Sequence, residues 1–144
     1  MIKLAIVIVL SIFVTSVFAH QDLGSEAVEA RMQSMMKMAT NMKALGSMMK
    51  GVEPFTANKA KAITEQITKI AGQIPALFKS NETVRKSEAS PAIWLNFSDF
   101  TSKARDLEAK SAELSKSIVS IGDLKYAMKS IGTSCRSCHR SYKD

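Results

Sequence analysis

From Val28 onward the apolar positions recur by fours and threes: Val28, Met32, Met35, Ala39, Met42, Gly46 and Met49. That spacing puts them on one face of an amphipathic helix. A second series runs Ala60, Ile63, Ile67, Ile70, Ile74, Leu77, and a third runs Ile93, Phe97, Phe100, Ala104, Leu107, Ser111, Leu114, Ile118. A fourth, Leu124, Met128, Ile131, Cys135, Cys138, Tyr142, carries both cysteines of the chain on its inward face.

The breaks between these series carry turn chemistry. Gly51 and Pro54 separate the first helix from the second, and "KSNETVRKSEAS" is a polar linker. Ser90 and Pro91 read as an N-cap with proline at the first helical position, and Gly122-Asp123 opens the fourth helix. Pro75 is expected to end or kink the second helix near Gln73, since its ring collides with the preceding turn. No segment alternates with a period of two. The spacing therefore predicts an all-α fold, four helices in an antiparallel up-down-up-down bundle.

The N-terminus differs from the rest. "MIKLAIVIVLSIFVTSVFA" has a lysine, a short apolar run and small residues before the expected cut after Ala19, the pattern of a cleavable secretory signal. The apolar stretch is broken by Ser11, Thr15 and Ser16 and falls short of the roughly 20 residues that span a bilayer, so no membrane anchor is expected after processing. Residues 1–19 are read as leader and 20–144 as one domain, exported to the periplasm. The formal charge of +7 drops to +6 when Lys3 leaves. Its lysines are dispersed, which suits acidic protein partners and lacks the basic-aromatic weave of nucleic-acid binding.

The chain closes with "SCRSCHRSYKD". On a helix Cys135, Cys138 and His139 stand at i, i+3 and i+4, so all three leave one face toward a common ligand. A disulfide closing a two-residue loop would constrain the unfolded chain very little. Zinc needs further ligands, and the only other histidine is His20, far along the sequence. A redox dithiol of the thioredoxin kind belongs at a helix N-terminus after a strand, whereas this pair lies near a helix C-terminus in an all-helical chain. Cysteine-x-x-cysteine-histidine reads as attachment of a c-type haem through two thioethers, with the imidazole reaching the iron.

With "EARMQSMMKM", "MMKGVEPF", "SPAIW", "DLKYAMKSIG" and "CRSCHRSY" in view, the chain resembles the class II c-type cytochromes, the cytochrome c prime family. The resemblance implies one covalent haem c in the bundle core, His139 as proximal iron ligand, and a distal face supplied by the first helix. It places Arg31 near the haem propionates. Lys143 falls where many relatives have an arginine beside the proximal histidine; lysine keeps the charge and loses the planar fork.

Seven of the nine methionines lie between residues 32 and 49. Most read as flexible filler around a rigid cofactor. Met35 falls where the family places the residue facing the open side of the iron and is the expected distal ligand, with Met32 the nearest substitute one turn earlier. A His/Met iron implies a one-electron carrier; a five-coordinate iron implies a protein that binds nitric oxide or carbon monoxide. Neither is a substrate-turnover enzyme, and no catalytic carboxylate pair, serine-histidine set or phosphate loop is present. His20 reads as an exposed terminal histidine, Trp94 as core packing, and Tyr126 and Tyr142 as amphipathic edge residues. Whether two chains pair as a homodimer through the first two helices is left open by the sequence.

Overall fold

The computed structural model describes residues 25–85 and 87–144. The leader, its cleavage point and His20 lie outside the described residues. Within them the chain forms α1 (Glu26–Met49), α2 (Ala57–Leu77), a single-turn α3 (Ala92–Leu95), α4 (Phe97–Ser117) and α5 (Ile121–Tyr142). The long helices α1, α2, α4 and α5 alternate in direction. Each packs on its two neighbours in the order α1–α2–α4–α5 and back to α1, a four-helix bundle.

Local chemistry fixes the ends. Ser25 and Thr56 accept from the backbone N–H groups of Val28 and Lys59 at the starts of α1 and α2. Gly51 takes φ +73° just beyond α1, and its N–H and that of Val52 donate back to the Met48 and Ser47 carbonyls. Helix α5 starts one residue before the expected Gly122-Asp123. Ser120 caps it, and its hydroxyl and backbone N–H exchange hydrogen bonds with Asp123 in a capping box.

Three expectations about the helices are corrected. Pro75 does not end α2 at Gln73; the helix runs on to Leu77 with Pro75 buried inside it. Only the Ala71 carbonyl loses its donor by this, and the end of the helix is near enough to absorb the ring. The third helix is two elements: the chain turns at Asn96 (φ −128°, ψ 42°) between α3 and α4. Its apolar series spans the break because Ile93, Phe100, Ala104, Leu107, Ser111, Leu114 and Ile118 are all buried.

The third correction concerns α1. Its deeply buried positions are Val28, Arg31, Ser34, Met38, Leu45 and Met48, a stripe rotated from the expected one. The expected residues Met32, Met35, Ala39 and Met42 line a cavity instead. Helix α1 thus presents a broad inward face: Val28, Arg31 and Met38 are buried and also line the cavity, while Leu45 and Met48 are buried beyond it, so a single stripe read from periodicity was incomplete.

Helices α2 and α4 meet through small or short side chains. Thr64 and Ser111 are fully buried; Thr68 donates to the Ser111 hydroxyl at 2.9 Å, and Ser111 in turn donates to the Leu107 carbonyl at 2.7 Å. Buried hydroxyls so satisfied cost little. The cavity end of the core is aromatic, with Phe100 edge-on to Tyr142 and tilted against Phe78.

Candidate haem site

The cavity, about 530 Å³, lies toward the end of the bundle where α1 begins and α5 ends. Its α1 wall is Val28, Arg31, Met32, Met35, Met36, Met38, Ala39 and Met42; α4 adds Phe100, Lys103, Ala104 and Leu107. Helix α5 contributes Gly132, Ser134, Cys135, Cys138, His139, Tyr142 and Lys143. The volume lies within the range of small-molecule and cofactor pockets, and the lining is mostly apolar with few polar groups.

The α5 register brings Cys135, Cys138 and His139 to the cavity together. Both thiols are half-buried, and desolvation raises their pKa, that of Cys138 to about 11 despite the nearby Lys103 charge. They are neutral thiols at neutral pH, the reverse of the depressed pKa an exchange cysteine needs. Among the described residues no group of three or more His, Cys, Asp or Glu is placed to hold a metal ion by itself. Of the three readings of the motif, the donor set and the cavity fit haem attachment.

His139 is exposed at the cavity rim. Desolvation on its cavity side, then the Lys143 charge, lower its pKa from the usual histidine value, with Glu88 opposing. A neutral imidazole is the form that ligates a metal. Its helix turn is tied down by the linker that precedes α3. The Ser90 N–H donates to the Tyr142 carbonyl at 3.1 Å and the Asp144 N–H to the Glu88 carbonyl at 3.0 Å, forming an isolated antiparallel bridge between Ala89 and Lys143. Lys143 also pairs with Glu88 at 3.1 Å. It sits on the cavity beside His139, as the sequence suggested, with its ammonium committed to a carboxylate.

Arg31 has a role that the sequence did not show. It is 3% exposed, and its guanidinium donates through Nε to the Leu77 carbonyl at 2.8 Å, through Nη1 to the Glu82 carbonyl at 2.7 Å, and through Nη2 to the Ser80 carbonyl. Phe78 and Trp94 flank it at 4.9 and 5.5 Å. The expected propionate contact is therefore not its main employment: Arg31 closes the open carbonyl end of α2. Each Nη keeps one N–H beyond these bonds. Trp94, expected in the core, is half-buried and donates to the Phe78 carbonyl at 2.9 Å.

Tyr142 is corrected from an edge residue to a buried one, its hydroxyl donating to Asp99 on α4. Tyr126 is exposed. Lys103, Glu88 and Met36 line the cavity and were missed. Lys103 lies off the apolar series of α4, and Glu88 lies in a linker whose return to the site only the fold reveals.

The profile of the family described as cytochrome C′ matches residues 26–143. The chain belongs to the cytochrome c′ family. Cytochrome c-556 of Agrobacterium fabrum is 36% identical over 118 residues, covering 81% of this chain and 80% of that protein. Cytochrome c-554 of Cereibacter sphaeroides is 32% identical over 121 residues, covering 81% and 91%. Among solved structures, oxidized R. palustris cytochrome c556 superposes with TM-score 0.76 at 27% identity, covering 83% of this chain and 96% of that one. Cytochrome c prime from Shewanella frigidimarina gives 0.73 at 27% identity, covering 82% and 94%. The family's cofactor is a single covalently bound haem c, and its members are haem electron carriers and ligand-binding proteins. No helix among the described residues is long and apolar enough to cross a membrane.

Proposed function

We propose that this cytochrome is an exported, periplasmic one-electron carrier whose haem c is attached at Cys135 and Cys138, with His139 as proximal ligand and Met35 as distal ligand. The observation that carries the reading is one cavity with the motif of α5 on one wall and the thioethers of α1 on another. Haem supplies the ferric/ferrous couple when bound. The chain supplies the rest: apolar side chains that exclude water, a thiol pair held neutral, and an imidazole kept neutral on a helix turn pinned by residues 88–90. A thioether is a soft, neutral ligand suited to both iron oxidation states. Arg31 would lie near the propionates through its remaining N–H groups, and Lys143, paired with Glu88, stands beside the proximal His139. Met32, one turn before Met35, lines the same cavity and is the substitute ligand.

The test is Met35→Ala in the haem-loaded protein. The expected result is a change from low-spin to high-spin absorption, with carbon monoxide binding the reduced variant readily and the parent poorly. A parent that already binds carbon monoxide readily would make Met35 a wall residue and the protein a five-coordinate gas binder.

A further inference from the structure

The acidic residues of the chain are distributed unevenly over the bundle. Helix α1 from residue 30 to 50 contains Arg31, Lys37, Lys43 and Lys50 and no Asp or Glu. Helix α5 from residue 124 to 143 contains Lys125, Lys129, Arg136, Arg140 and Lys143 and again none. By contrast α4 mixes Asp99, Asp106, Glu108 and Glu113 among its basic residues. The acids of α1, Glu26 and Glu29, sit in its first turn, where they complement the helix dipole.

Helices α1 and α5 are neighbours, and Gly46 marks their approach: a Cβ there would stand 3.6 Å from Met128 Cε. Lys43 and Lys50 are three residues before and four after Gly46, so they share its face. Lys125 lies three residues before Met128, with Lys129 four residues further on. Arg136 folds over Gly132, where a Cβ would stand 3.6 Å from its Nη1, and Gly132 lines the cavity. These five cations are exposed and, among the described residues, none of them makes an ion pair. Among the described residues that line the cavity, the carboxylate is Glu88, and it is held by Lys143. The exposed Met36 adds an apolar spot beside the cavity.

We propose that the α1/α5 face, where Lys43, Lys50, Lys125, Lys129 and Arg136 run from beside the cavity toward the other end of the bundle, is the docking surface for an acidic redox protein. The inference rests on the electron-carrier reading and adds where the partner binds. Charge complementarity selects the partner: a cationic face whose Lys43 and Arg136 adjoin the cavity-lining Met42 and Gly132 steers an anionic surface toward the cofactor cavity, and speeds encounter without tight binding. A protein is favoured over an anionic membrane because the exposed apolar side chains here, Met36 on α1, Val52 just after it and Ile121 and Tyr126 on α5, are scattered along the bundle and form no continuous apolar stripe for interfacial insertion.

The experiment is stopped-flow reduction of the oxidised haem-loaded protein by a reduced acidic plant-type [2Fe–2S] ferredoxin; one electron passes from its cluster to the ferric haem. The parent is compared with the triple variant Lys43→Glu, Lys125→Glu, Lys129→Glu, and with a control of equal net charge, Lys61→Glu, Lys69→Glu, Lys79→Glu, on and just after α2. The hexaammineruthenium(II) cation serves as a second donor. At low ionic strength the α1/α5 variant should react with ferredoxin at least about tenfold more slowly than the control, with the difference collapsing at high salt. With the ruthenium cation it should react no more slowly than the parent. Equal slowing by both variants would overturn the docking surface while leaving the electron carrier intact. Failure of the ruthenium cation to reduce any of the three would overturn both. Co-sedimentation of the parent with phosphatidylglycerol vesicles, with ferredoxin rates insensitive to either variant, would replace the protein partner by a membrane.

Discussion

Replacing Arg31 by alanine should be among the most damaging single changes outside the haem motif. The guanidinium is buried and donates to three carbonyls just at and beyond the end of α2, while its plane packs against Phe78 and Trp94. Hydrogen bonds to charged groups contribute about 1.5–3 kcal/mol each, but here water can reach part of the vacated site and reclaim some of the lost solvation. The expected net loss is about 3–5 kcal/mol, a large share of the roughly 5–15 kcal/mol that holds a domain folded. Arg31→Lys restores the charge but not the three-way fork, so it should recover less than half of this. Urea unfolding of the haem-loaded variants, followed by far-UV circular dichroism, measures both. A loss below about 1 kcal/mol for alanine, or full rescue by lysine, would refute the view that a planar three-carbonyl clamp closes α2.

Ile67→Ala, at a fully buried position between α2 and its neighbours, should cost about 2–5 kcal/mol in the same unfolding assay, and a loss under 1 would show that the core there collapses around the change. The Asp123 carboxylate is held below its usual pKa by the Ser120 hydroxyl first, then by the Val119 and Ser120 N–H groups. Its contribution is therefore present above the unfolded-state value, about 3.9, and lost as pH falls through the lower folded value. The melting-temperature gap between parent and Asp123→Asn should accordingly shrink as pH drops from 5 to the acid limit; a constant gap would contradict the capping role. Lys103 lines the cavity and lies 3.6 Å from Asp99. Lys103→Met removes a positive charge that favours the reduced state, so spectroelectrochemical titration should give a lower midpoint potential, and an unchanged or raised one would place the ammonium away from the haem.

Much of the bundle could be read from the chain because a single helical period describes the apolar series of α2, α4 and α5. Helix α1 escaped that reading in part since it buries Leu45 and Met48 in the core and lines the cavity with Met32, Met35, Met38 and Met42. Methionine serves both roles equally well, so the sequence could not tell them apart. The motif residues were legible from spacing alone, as one helical face must carry i, i+3 and i+4. Glu88 and the clamp on Arg31 were not, because both depend on where a linker returns, which no local pattern encodes. The break at Asn96 was hidden for a similar reason: the buried series continues across it while the backbone turns.

The central claim is a six-coordinate haem between His139 and Met35, and the electron paramagnetic resonance spectrum of the oxidised native protein at neutral pH tests it with no mutation or added ligand. A rhombic low-spin ferric signal carrying nearly all of the iron is the expected result. A dominant axial high-spin signal would contradict it, leaving the iron open on the α1 side and making gas binding the function of this cavity.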